Sequence, residues 1–198
     1  MRKQSYQGKT RVIIEPGEYY VSNRDEILST LLGSCVAACL YDPVNRLFGM
    51  NHFLLAYHQP VNGTALLHSD AARYGIYAME MLINALLKRG ANKTNLLAKA
   101  FGGGNVLSLN KQGTQGGNIG EANSVFIRMF LKNEQIPLVA SSLGGNIGRT
   151  IYFMPEDYSV YVKPIEAMKT EKIKTIEQRF LDKNLREQEK TTSQVNYW

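Results

Sequence analysis

Residues 27–55 constrain the fold more than any other part of this chain. From Ile27 to Tyr41 nearly every residue is apolar or small, and Gly33-Ser34 breaks the run once. The second half, Val36 to Tyr41, reads as a buried strand that stops at Asp42-Pro43. Arg46 to Leu55 reads as the next strand, so Asp42-Pro43-Val44-Asn45 becomes the turn of a hairpin. Shorter strands are expected at Thr10–Ile14 and Glu18–Ser22, around the Pro16-Gly17 turn. Others are expected at Leu96–Phe101, Ile136–Leu143, Thr150–Met154 and Ser159–Val162. Two helices interrupt them. The first spans Asp70 to Arg89, with Ser69 or Asp70 as its cap, Gly90 as its stop, and Tyr74, Tyr77, Met81, Leu82, Ala85 and Leu86 as its apolar face. The second starts near Ile119 with Asn118 as cap, and turns Ala122, Val125, Phe126, Met129 and Phe130 inward.

With 198 residues, the chain is long enough to bury a core without a disulfide or metal staple. Hydrophobic residues at 44% and charged residues at 20% exclude a disordered or fibrous protein. The net charge of +6 is too dilute for a dedicated nucleic-acid binder. No secretory signal is expected, because Glu15-Pro16 ends the short apolar run Val12-Ile13-Ile14. No membrane segment is expected either, since the uncharged stretch Leu47–Ser69 carries Asn51, His52, His58 and Gln59. The two cysteines, Cys35 and Cys39, lie four apart in one strand, too far to bridge, and have no zinc-ligand spacing around them. Free thiols and a cytoplasmic location follow as expectations, with no metal or cofactor.

Beyond Pro164 the composition changes: between Lys169 and Lys190 basic residues outnumber acids, and the apolar residues are thinly spread, Ile173, Ile176, Phe180 and Leu185 among them. A compact domain over residues 1–166 is expected. Residues 167–198 would be a charged tail, solvated or folded as a short amphipathic helix on Ile173, Ile176 and Phe180, and dispensable for chemistry. The repeat of Gly-Gly-Asn-Ile-Gly at 116–120 and 144–148 has unmatched flanks and reads as reused turn chemistry.

Chemistry has few places to sit. Cys35 follows the Gly33-Ser34 bend, where backbone N–H groups could gather near the thiol and hold an oxyanion; it also fits a small buried hydrophobe. Cys39, in mid-strand, fits the second reading better. A hairpin centred between Pro43 and Val44 sets Cys35 opposite His52, the minimum pair for thiol catalysis. His58 reads as loop surface, and His68, just before the helix, as surface or a substrate-side residue. Gly102-Gly103-Gly104 lacks the Lys-Ser/Thr of a phosphate loop; such a run either lets a substrate come close or simply turns the chain.

Beyond these local readings, Leu32-Gly33-Ser34-Cys35-Val36-Ala37-Ala38-Cys39-Leu40-Tyr41-Asp42-Pro43 resembles the signature of the CheD chemoreceptor glutamine deamidases. The likeness continues through Gly49–Phe53, Tyr74-Gly75, Ala78–Glu80, Lys99–Gly103, Ile119-Gly120 with Asn123, Gly144-Gly145 and Gly148-Arg149. The expected fold is α+β, a β-sandwich-like sheet core flanked by helices, and the resemblance implies kinship with cysteine-dependent toxin deamidases. It implies a protein-glutamine glutaminase of bacterial chemotaxis, working through a thioester on methyl-accepting chemotaxis receptors, and a CheC-type phosphatase as partner. The family's nucleophile matches Cys35 and its histidine His52. Its third residue, a hydroxyl that orients the histidine, falls on Ser29 by ungapped matching and on Thr30 by residue type. Gly33, Ser34, Phe101, Gly102 and Gly103 are the expected oxyanion and substrate loop. A regulatory module controlling the phosphatase is the alternative function.

Overall fold

The computed structural model describes residues 1–55, 57, 61, 66–106, 119–165 and 175–183. Among the described residues, ten strands form two five-stranded sheets. They are β1 (Arg2–Tyr6), β2 (Lys9–Ile13), β3 (Tyr19–Ser22), β4 (Glu26–Leu32), β5 (Val36–Asp42), β6 (Leu47–Asn51), β7 (Leu97–Gly102), β8 (Leu138–Leu143), β9 (Arg149–Phe153) and β10 (Val160–Pro164). The first sheet has the order β1-β2-β4-β9-β10 and the second β3-β6-β5-β7-β8. Helices α1 (Asp70–Lys88) and α2 (Ile119–Asn133) cover the outer face of the second sheet.

The result is three layers: sheet, sheet, helices. Strand β5 is the centre, buried along its whole length. Its alternation sends Val36, Ala38 and Leu40 to the helix-side core and Cys35, Ala37, Cys39 and Tyr41 into the core between the sheets. A strand covered on both faces needs small and apolar side chains throughout, which is why this stretch has no polar alternation. The expected α+β sandwich is thus the observed architecture.

Local chemistry sets the element ends. The Ser69 hydroxyl accepts from the Ala72 N–H at 3.2 Å and caps α1, and Gly90 leaves the helix with φ +100°. The buried face of α1 is Ala71, Ala72, Gly75, Met79, Leu82, Ile83 and Leu86, rotated from the expected one, and Tyr77 is exposed. The cause is close packing on α2: a Cβ on Gly75 would lie 2.6 Å from Phe126. On α2, Asn123 and Ile127 are buried in place of the expected Val125 and Met129; the cap expected at Asn118 lies outside the described residues.

The β5–β6 pairing is Cys39 with Met50 and Asp42 with Leu47, with a bridge from Val36 to Phe53. This is two residues away from the expected register. The Asp42 carboxylate accepts from the N–H groups of Val44 and Asn45, so Asp42 stays in the strand and the loop becomes Pro43–Arg46, with Arg46 at φ +52°. A shift of two keeps every side chain on its face, so Cys35 and His52 still share the inter-sheet side.

Two elements differ from the sequence reading. Strand β1 is polar and exposed along most of its length, so no hydrophobic pattern marks it; it is held by pairing to β2. The second is the tail. Residues 175–183 form a helix, α3, that is docked and not solvated: Leu181 is 2% exposed within the inter-sheet core and Glu177 is 1% exposed. Its inward face is Glu177, Phe180 and Leu181, so Phe180 lies where expected. Ile176 is exposed, and Ile173 lies outside the described residues.

Candidate active site

One end of the space between the sheets gathers a thiol, an imidazole, a hydroxyl and a carboxylate. Sγ of Cys35, a ring nitrogen of His52 and a carboxylate oxygen of Glu177 lie within 4.8 Å of one another, all buried. Cys35 sits at the bend between β4 and β5. His52 follows β6, its backbone pinned on both sides: its carbonyl accepts from Gly17 N–H at 2.8 Å, and its N–H donates to the Glu18 carbonyl at 3.0 Å.

Thr30 decides the state of the imidazole. Its hydroxyl donates to the Ile14 carbonyl at 2.6 Å and lies 2.7 Å from His52 Nδ1. A hydroxyl has one proton to give. With that proton on Ile14, the second contact is Nδ1–H donating to Thr30. The Ile14 carbonyl, which can only accept, lies 3.5 Å from the same nitrogen. The proton therefore sits on Nδ1, and Nε2 is left as a lone-pair acceptor, buried and with no hydrogen-bond partner among the described residues. Burial pushes the His52 pKa below its ordinary value of 6.5, against the charges of Glu177, Glu15 and Glu18 and the Ile14 carbonyl.

Of the two hydroxyls expected as the third residue, Thr30 lies beside His52 and Ser29 does not. In β4, Leu28, Thr30 and Leu32 point between the sheets, and Ser29 points outward. There its hydroxyl accepts from Arg11 Nε at 2.6 Å, under a guanidinium stacked on Tyr152 and Tyr6.

The bend before Cys35 aims its amides at one point. The Glu177 carboxylate accepts from N–H of Gly33 at 2.9 Å, Ser34 at 2.9 Å and Cys35 at 3.1 Å, and from the Ser34 hydroxyl at 2.7 Å. The other residues of the expected loop, Phe101, Gly102 and Gly103, lie behind the bend. Phe101 is buried in the inter-sheet core. Gly103 N–H donates to the Cys35 carbonyl at 2.7 Å, and Gly104 N–H to the Gly33 carbonyl at 2.7 Å. These bonds tie down the carbonyls of the bend from behind, leaving its amides to face forward. Gly102 has φ +110°, and a Cβ there would lie 2.1 Å from the Cys35 carbonyl oxygen. Gly102→Ala should therefore cost about 2 kcal/mol or more of stability, read as a lowered midpoint in urea unfolding.

Two polar residues that sequence reasoning did not place complete the site. Asn123 Oδ1 accepts from Leu55 N–H at 2.9 Å, and its Nδ2 donates to the Ser34 carbonyl at 3.1 Å and that of Ile119 at 2.8 Å. An amide on the buried face of an amphipathic helix was the legible signal. For Glu177 no local signal marks a site residue. His68 is exposed, and His58 lies outside the described residues.

Burial first, and then the Glu177 charge and hydrogen bond, push the Cys35 thiol well above its ordinary range. Cys39 is raised by burial, with Lys99 opposing, and it lies in mid-strand. Cys35, His52 and Glu177 could each offer one ligand to a metal, but the Glu177 oxygens already accept four hydrogen bonds from the bend.

A thiol beside a lone-pair imidazole, with amides converging on the same spot, has the parts of a cysteine-dependent hydrolase. The chain belongs to the CheD family. The family profile described as CheD chemotactic sensory transduction matches residues 60–164. The Shewanella oneidensis protein named "Probable chemoreceptor glutamine deamidase CheD 2" is 50% identical over 167 residues, 84% of this chain and 82% of that one. The "Probable chemoreceptor glutamine deamidase CheD 1" of Geobacter sulfurreducens is 45% identical over 86% of this chain and 85% of its own. The solved hypothetical protein YfiH of Bacillus licheniformis aligns with a TM-score of 0.37 at 18% identity, over 63% of this chain and 49% of that one.

Proposed function

We propose that this chain deamidates glutamine side chains of chemoreceptors to glutamate, with Cys35 as nucleophile and His52 as proton carrier. The observation that carries this reading is the buried His52 ring, which has a nitrogen within 4.8 Å of Cys35 Sγ and whose Nε2 is left as an acceptor by the contacts of Nδ1 with Thr30 and Ile14. The relatives' names supply the substrate.

In this mechanism Nε2 takes the thiol proton as sulfur bonds to the glutamine Cδ. The carbonyl oxygen becomes an oxyanion held by the amides of Gly33, Ser34 and Cys35. The C–N bond then breaks, and His52 gives its proton to the departing nitrogen as ammonia. Water, deprotonated by the same imidazole, adds to the thioester carbonyl. The C–S bond breaks, leaving glutamate and the free thiol. Thiolate formation alone gains about 30-fold at pH 7 over an ordinary cysteine, so the amides and positioning must supply most of the acceleration. The test is mass spectrometry of purified receptor: each converted glutamine gains about 1 Da, OH for NH2. A receptor whose mass stays unchanged after incubation with folded enzyme sinks the reading.

Thr30 acts through the imidazole as a positioning residue. Thr30→Val should lower kcat about 10- to 100-fold and change KM little, the size of effect typical when an orienting hydrogen bond is lost. Ser29→Ala should leave turnover nearly unchanged. The opposite pattern in ammonia-release assays would return the role to Ser29. Recruitment to receptor arrays at the inner membrane would follow from this substrate. Binding to a CheC-type phosphatase would follow from the family, and co-purification tests it. No helix among the described residues is long and apolar enough to cross a membrane.

A further inference from the structure

Helix α3 enters the site as a ligand would. Glu177 reaches the bend from the far end of the chain, and its carboxylate takes up the forward-facing amides of Gly33, Ser34 and Cys35. Glutamate is the product of the reaction proposed above, and this inference rests on that reading. The Glu177 carboxylate is buried and, among the described residues, accepts from donors: three N–H groups and the Ser34 hydroxyl, with the Cys35 thiol beside it. Such a set holds an oxygen anion or a carbonyl oxygen and offers nothing to a cation.

The rest of the helix is seated as well. Phe180 stacks edge-on to Tyr74 with ring centroids 6.3 Å apart, and it lies so close over Gly17 that a Cβ there would be 2.9 Å from the ring. Leu181 enters the inter-sheet core. Glu177, Phe180 and Leu181 stand at i, i+3 and i+4, one face of a helix. The seat therefore accepts a helix with a Glu or Gln at the thiol, an aromatic ring one turn on and a leucine beside it.

We propose that α3 is a product analogue tethered to the enzyme, which holds the site closed until a substrate helix displaces it. While it is docked, the amides are occupied and the neighbouring carboxylate disfavours the thiolate, so the closed chain has neither oxyanion donors nor a ready nucleophile. A substrate must then compete with an intramolecular ligand, and its apparent kcat/KM falls by the fraction of chains that are open.

The test uses full-length chains. In Glu177→Gln the tether becomes a substrate in cis, with its Cδ at the thiol. The expected result is conversion of the introduced glutamine to glutamate on standing, one water consumed and one ammonia released, a gain of about 1 Da located at that position by tandem mass spectrometry. The Cys35→Ala/Glu177→Gln double variant should keep its glutamine. Independently, Phe180→Ser should loosen the helix and raise kcat/KM on purified receptor about tenfold or more, with its thermal melt confirming a folded core. The tether is overturned if receptor is converted in a Cys35-dependent way while the introduced glutamine persists and Phe180→Ser is no faster. If no form of the enzyme converts receptor, the deamidation reading fails instead.

Discussion

Cys35→Ala should lower ammonia release by about 10⁴-fold or more, the loss typical when a catalytic nucleophile is removed. Cys39→Ala should keep most of the activity. Both thiols are buried and on the same face of one strand, so burial does not separate them. Surroundings do. Cys35 lies at the bend whose amides converge, within 4.8 Å of the imidazole and carboxylate atoms. Cys39 pairs with Met50 and Lys99 in the middle of the sheet, away from the converging amides, and its thiol is raised by burial. Loss of one sulfur from a packed core costs Cys39→Ala some stability, so both variants should be compared below their melting transitions. Ammonia release surviving in Cys35→Ala and vanishing in Cys39→Ala would falsify the assignment.

His52→Ala should lower kcat by about 10²- to 10⁴-fold, the contribution of one general acid–base group, with a smaller change in receptor affinity. The pH profile gives an independent reading. The base form is neutral His52, and burial holds its pKa below 6.5, so the acid limb of kcat/KM should lie below that value. Stability follows the same sign. Below pH 6.5 the unfolded chain protonates this histidine more readily than the folded one, so the unfolded state binds more protons. Stability contributed by His52 is therefore full above 6.5 and falls as pH drops. His52→Gln should flatten that part of the curve in urea titrations. An acid limb well above 6.5, or turnover untouched by His52→Ala, would remove the imidazole from the mechanism.

How legible the fold was depended on how far apart the deciding residues lie. The hairpin of β5 and β6 could be read because a dense apolar run, an Asp-Pro turn and a second apolar run are contiguous. The register differs by two because Asp42 stays in the strand, binds the turn amides and moves the four-residue loop one position along the chain. Parity survives that difference, and with it the shared face of Cys35 and His52. Caps at Ser69 and Gly90 were readable for the same reason: each acts within one turn of its own helix. The tilt of the α1 face was not, because large side chains suggest a buried face while Gly75, which admits Phe126, makes the real one.

By itself, the sequence determined the α+β sandwich, the family, the cysteine at a glycine bend and a histidine on the same side of the sheet. Only the tertiary structure set Thr30 beside His52 and turned Ser29 away toward Arg11, since adjacent strand residues face opposite ways and only the second sheet makes one side the inside. It set Gly103 and Gly104 behind the bend, where their N–H groups hold the Cys35 and Gly33 carbonyls. It also brought Glu177 to the N–H of Cys35 from 142 residues away. Periodicity, capping and turn chemistry are local and leave their mark in neighbouring letters. A carboxylate that finds its donors across the whole length of the chain leaves none, because its partners are chosen by packing and burial and not by spacing.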